Sequence, residues 1–268
     1  MRVSQLARGA DDGYRSALAL GLKSSADAER LAEELAFAVT RLVRLADDPP
    51  GLYAEVADAN GEIEERTWLA FLIAYLGPLD GEDPFADIRR VRTAWSGAEL
   101  PDLDGVQTGP RTAHDPSRGL RTLEAYRAWA ARAGSQAAAF TGEEAWTPER
   151  RFARTYERLA LPGLDRGVRF DLLVTLGRLG VFDLRAAALQ FGGANEVTLA
   201  AKRILGIGDS LLLERRAAEL AVACELPLEA LDLGLHNWGS GVRATVGLEP
   251  SAEPDPEALA TTRAGLGL

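Results

Sequence analysis

The sequence predicts an all-α protein, and three observations carry that prediction. Apolar residues recur at helical spacing through most of its 268 residues. No segment sustains the apolar–polar alternation of a strand. The breaks between periodic segments are rich in Pro and Gly, and no repeat of fixed length marks a solenoid.

Taken in order, the first element is Ala26 to Ala46, with Leu31, Leu35, Val39, Leu42 and Val43 on one stripe. Asp47-Asp48-Pro49-Pro50-Gly51 ends it. Glu62 to Leu76 is the second, carrying Trp68, Leu69, Leu72 and Ile73 and stopped by Gly77-Pro78. Pro84 opens a short helix reaching Trp95, and Ser96 to Arg118 is the longest irregular stretch. Leu120 to Ala133 is helical, with Leu123, Tyr126 and Ala130 on one side. Thr147 is placed to cap a helix that has Pro148 at its first position, and Leu161-Pro162-Gly163 breaks it. Val168 to Leu179 and Leu184 to Leu189 follow as apolar helices. Pro227 to Leu235 is the last clear helix, and the Pro-, Glu- and Ala-rich chain beyond Gly247 is expected to fray.

Between these elements lies the most informative stretch, Lys202-Arg203-Ile204-Leu205-Gly206-Ile207-Gly208-Asp209. Val197, Ala200, Ala201 and Ile204 set a helical spacing before it. Leu211, Leu212, Ala218, Leu220 and Val222 continue an apolar helix after it. Two glycines one residue apart let the backbone turn tightly and approach another surface without a Cβ in the way. The second helix then presents free N–H groups where a phosphate can sit. That is the logic of a helix-hairpin-helix, which grips a nucleic-acid backbone without reading its sequence. An ordinary corner in a helical core is the plainer alternative.

Charge bears on the same point. Net charge is -10, which by itself disfavours nucleic acid. Residues 111–219, however, carry 17 basic and 13 acidic side chains, against 11 and 20 before them and 2 and 7 after. The hairpin therefore lies in the only cationic part, and local sign governs a phosphate-facing surface. No apolar run reaches the roughly 18 residues of a membrane span. Met1 to Arg8 lacks the apolar core of a signal peptide, so a cytoplasmic protein is the expectation. Cys224 is the single cysteine and His114 and His236 the two histidines, which excludes an internal disulfide and a thiolate or His-rich metal site. No cofactor and no metal are expected.

Two further groups bear chemistry. Gly109-Pro110-Arg111-Thr112-Ala113-His114-Asp115 brings a cation, an imidazole and a carboxylate into one long loop, unless that loop is simply a connection. Glu229, Asp232 and His236 share one helix face at i, i+3 and i+7, followed by Asn237 and Trp238. A carboxylate beside an aromatic pocket suits a flipped base. A capping cluster closed by Gly239 is the alternative.

The chain resembles the all-helical alpha-glutamyl/putrescinyl thymine pyrophosphorylase family, its third clade in particular. The likeness rests on Ala125-Tyr126-Arg127-Ala128-Trp129-Ala130, Trp146-Thr147-Pro148, Arg150-Arg151-Phe152, Leu161-Pro162-Gly163, Arg169-Phe170-Asp171-Leu172-Leu173, Ala200-Ala201-Lys202-Arg203, Gly206-Ile207-Gly208-Asp209, Leu231-Asp232-Leu233 and Asn237-Trp238. That family is similar to helix-hairpin-helix DNA glycosylases and is associated with hypermodified thymines of phage DNA. The resemblance implies a helical DNA-glycosylase-like bundle with a helix-hairpin-helix. It divides the chain into an N-terminal helical region (1–108), a glycosylase-like core (109–246) and a flexible tail (247–268).

It also implies a catalytic aspartate about twenty residues after the hairpin's second glycine. Leu228 stands there, so the role moves to Asp232, with Glu229 and His236 beside it. Lys202, Arg203, Gly206, Gly208, Arg111 and Arg169 are then the expected DNA contacts, and Asn237, Trp238 and His114 the base pocket. The expected activity is monofunctional removal of a modified or glycosylated pyrimidine from double-stranded phage DNA, as in antiviral defence. No lysine follows the hairpin from Ser210 to Arg216, so Schiff-base strand cleavage is not expected. Two alternatives stand: a transferase attaching an amine or amino acid to activated hydroxymethyl-thymine, with Asp171, Asp209 and Glu214 as oxygen ligands for a metal, or a non-catalytic helical module binding DNA or protein.

Overall fold

A computed structural model describes residues 9–97, 99–249 and 251–268. These hold twelve helices and no strand. In chain order they are α1 (Ser25–Asp47), α2 (Leu52–Ala57), α3 (Ile63–Leu76), α4 (Ala86–Val91), α5 (Gly119–Arg132), α6 (Gln136–Thr141), α7 (Pro148–Arg158), α8 (Arg166–Arg178), α9 (Glu196–Leu205), α10 (Ser210–Ala223), α11 (Leu228–Ser240) and α12 (Pro256–Leu266). The starts follow side-chain chemistry. Ser135, Thr147, Asp165, Asn195, Asp209 and Asp255 each cap a helix by accepting a first-turn amide.

The helices group into two compact units. One contains described residues of 9–42, 188–243 and 251–268; the other contains those of 43–187 and 244–249. In the second unit α3 is buried from Thr67 to Leu76, and α2, α4, α6 and α8 pack against it. Trp68, Phe71, Tyr75 and Tyr126 stack along it, Phe71 and Tyr126 with ring centres 3.7 Å apart. The buried Tyr126 hydroxyl donates to Gln136 Oε1 at 2.7 Å, and the Gln136 side-chain amide donates to the Glu64 carbonyl at 2.8 Å. Every polar atom brought into this core by those three residues thus meets a partner, as burial demands.

In the first unit α11 packs on α9 and α10, and α12 packs on α10. The first three-quarters of α1, up to Leu42, completes it. Glu34 on α1 accepts from Asn237 Nδ2 at 3.1 Å and from Arg243 Nε at 3.0 Å. Trp238 Nε1 donates to the Asp27 carbonyl at 3.0 Å.

The structure departs from the sequence reading at several places. The segment from Leu184 to Leu189 is not helical; it buries Leu184, Ala186 and Leu189 and exposes Arg185 and Ala187. Arg151 takes the Asp183 carbonyl at 2.9 Å and Glu214 takes the Leu189 amide at 2.7 Å, so side chains replace the helical ladder. The helix opened near Pro84 is only α4, because Glu65 accepts the Trp95 and Ser96 amides and holds that backbone open. Short helices α2 and α6 carry too few residues to show a period. The tail after Gly247 holds α12, which buries Thr262 and Leu266. The boundaries at 108 and 246 are not those of the two units, because α1 joins α11 across about two hundred residues of sequence.

Candidate nucleic-acid interface

The corner between α9 and α10 is built by its two glycines. Gly206 has φ of 70° and its N–H closes α9 on the Lys202 carbonyl at 3.0 Å, a left-handed cap open to glycine at least cost. Gly208 is exposed, and a Cβ added there would meet nothing within 4 Å. Among the described residues the amides of Ile207 and Gly208 have no hydrogen-bond partner. The start of α10 differs from expectation. Asp209 Oδ1 accepts the Leu211 and Leu212 amides, both at 3.0 Å, so those two N–H groups are already satisfied. What the corner leaves open is the turn itself, with Lys202 and Arg203 in the last turn of α9.

A second segment meets this corner. The Gly21 N–H donates to the Ile204 carbonyl at 2.8 Å. A side chain on Gly21 would overlap the Arg203 carbonyl oxygen, so only glycine permits the approach. Lys23 Nζ donates to the Leu20 carbonyl at 2.9 Å. Behind this seam a cavity of about 240 Å³ is lined by Asp11, Gly21, Lys23, Asp27, Arg203 and Trp238 among others. Two guanidinium groups lie over the Trp238 ring, Arg203 at 5.1 Å and Arg30 at 5.2 Å from its centre. Burial lowers the Arg30 pKa; Asp27 works against that and the positive charge of Arg203 adds to it.

The other expected site residues divide. Asp232 is 3% exposed on the inner side of α11 and does not line this cavity. His236 is also buried, with Nδ1 3.1 Å from Glu196 Oε2, and so ties α11 to α9. Glu229, in the first turn of α11, is half-buried. Asn237 spends its amide on Glu34, which makes it a strut rather than a pocket wall. Trp238 does border the cavity, with guanidinium groups over its ring and its N–H donated to the Asp27 carbonyl.

Arg111, His114 and Arg169 lie in the other unit. His114 lines a different cavity, of about 380 Å³, with Leu103, Asp104, Pro116 and Gly119. Its Nδ1 is 3.2 Å from the Tyr75 hydroxyl, and burial lowers its pKa. Arg169 is not a free DNA contact. Its guanidinium donates to the Asp165 and Tyr156 carbonyls, both at 3.2 Å, and stacks on the Tyr156 ring. Arg111 is half-buried in the loop after α3. Of the oxygen ligands considered for a metal, Asp209 is a helix cap and Glu214 accepts the Leu189 and Phe191 amides, both at 2.7 Å.

The sequence reading missed Lys23, Arg30, Asp27 and Gly21. One signal was present: in a chain with 28 arginines the two lysines are Lys23 and Lys202, and both border this corner. Comparison with protein-family models, with curated proteins and with solved structures finds no match to this chain.

Proposed function

We propose that this chain is a DNA base-processing enzyme that holds the duplex backbone at the α9–α10 corner and hydrolyses the N-glycosidic bond of a modified pyrimidine. One observation carries the reading. Gly208 leaves an open turn with two unpaired amides beside Lys202 and Arg203, neither of which has a carboxylate partner among the described residues. That combination suits a phosphate diester and is indifferent to base sequence. Grip on the backbone lets the duplex bend and the target base leave the stack. An ionised carboxylate then stabilises the positive charge that develops on the sugar. Glu229 takes that role in preference to Asp232, because a group at 3% exposure cannot reach a sugar. With no lysine on α10 the strand stays intact and an abasic site is the product.

The burial of Asp232 and the tied amide of Asn237 favour one other reading, a non-catalytic DNA-binding module. The transferase reading loses support, since Asp209 and Glu214 already serve backbone amides.

Mass spectrometry of bases released from unmodified and phage-modified DNA tests the proposal. Release from modified DNA alone, lost in Glu229→Gln and followed by strand breaks only after hot alkali, is the expected result. DNA binding without any released base selects the non-catalytic module. Borohydride trapping of a protein–DNA adduct contradicts the monofunctional reading and points to Lys23 or Lys202 as the amine, since α10 has none.

A further inference from the structure

The cavity beside the corner has an uneven charge balance. Asp11 pairs with Arg15 at 3.1 Å, and Asp27 faces Arg30 at 3.6 Å and accepts the Gly9 amide at 3.2 Å. Both acids of the cavity are therefore engaged. Its two cations are less fully met: Arg203 stacks on Trp238 with no carboxylate partner among the described residues, and Lys23 donates to the Leu20 carbonyl and shares Asp11 with Arg15. The guanidinium groups of Arg203 and Arg30 lie over one ring, with Asp27 facing Arg30 and Glu34, already tied to Arg243, acting on it as well. Nε and Nη2 of Arg30 are buried without a hydrogen-bond acceptor. An unpaired buried donor is costly, and like charges in a half-buried site repel through low dielectric. A doubly or singly charged oxyanion in the cavity, between Lys23 and Arg203, offsets the repulsion between the like charges.

We propose that this cavity is a second phosphate site, in which Arg203 and Lys23 hold one phosphate group while the Ile207–Gly208 turn holds another. The inference rests on the DNA-gripping reading for the source of the phosphate, but not for the site itself. Gly21 is what makes the site possible. Its close approach to α9 brings Lys23 to the same cavity as Arg203, although 180 residues separate them in sequence. A backbone phosphate there adds a contact that the hairpin alone lacks, and it orients the duplex as well as holding it.

The indole ¹⁵N–¹H resonance of Trp238, assigned with Trp238→Phe, reads the site directly. Titration with inorganic phosphate is expected to move it saturably in the parent and in Gly208→Val. Arg203→Gln abolishes that response, and the exposed Lys23→Gln weakens it several-fold while leaving the fold intact. With a short duplex, Lys23→Gln lowers the salt slope of binding by about one, additively with Lys202→Ala. A shift by phosphate but none by duplex keeps the site, assigns it to a free phosphate or nucleotide, and removes the DNA reading. A Trp238 signal that neither probe moves, or that Arg203→Gln leaves saturable, overturns the second site even where Lys202→Ala still weakens DNA binding.

Discussion

Glu34 is a carboxylate buried on α1, where Asn237 and both Nε and Nη2 of Arg243 donate to it within 3.1 Å. Removing it leaves Arg243 half-buried over Phe37 without its anion. Glu34→Ala is therefore expected to cost about 3 kcal/mol, read as a lower urea midpoint with unchanged slope. A loss near zero means the pair is merely decorative. His114 makes a second prediction at this scale. Burial lowers its pKa from 6.5, with Asp115 acting in the opposite sense. Between the folded value and 6.5 the unfolded chain binds more protons, so stability falls as pH drops through that window. The Tm of the parent should drop towards that of His114→Gln between pH 7 and 5. A gap between them that ignores pH shows the imidazole is not held neutral. Asp232 and Asn237 were legible as chemistry-bearing residues on one helix. Their burial was not, because the apolar pattern of α11 does not reveal which elements pack against it.

At the scale of elements the hairpin separates strain from function. Gly206 has positive φ, so Gly206→Ala is expected to destabilise the fold by about 1 kcal/mol, visible in thermal melting. Gly208 faces open space, so Gly208→Val should melt near the parent yet lose most of its DNA affinity through steric block at the turn. Equal affinity in Gly208→Val and parent would remove the corner from the DNA argument. The C-terminal helix α12 carries the other element-level expectation. Cys224 is fully buried, its thiol is pushed up to about 11 by burial, and its Sγ lies 3.8 Å from the Thr262 carbonyl. Ending the chain at residue 250 uncovers Cys224 and loses the burial of Leu266, about 2 kcal/mol. Thiol labelling of native protein, slow in the full chain, should then become fast. Caps such as Thr147 and the glycine corner were readable because they act within a few residues. Helix α12 was not, since its polar, Ala- and Pro-rich sequence becomes a helix by docking on α10.

Across the whole molecule charge decides whether the DNA reading holds. The chain carries a net -10, yet Lys23, Lys202 and Arg203 gather at one corner. Duplex affinity should fall with salt along a log–log slope of roughly -3, about 0.9 for each cation that meets a phosphate. A slope near zero sinks the interface. No helix of the described residues is long and apolar enough to cross a membrane. Helical class, most helix positions and the Gly206–Gly208 turn were determined by the sequence alone, since periodicity, caps and glycine act locally. The tertiary structure decided the two units, the burial of Asp232, the tie of Asn237 to Glu34 on α1, and the meeting of Lys23 with Arg203. Those contacts join residues about 180 to 210 positions apart. They arise from shape and burial between helices, for which no local spacing is a signal.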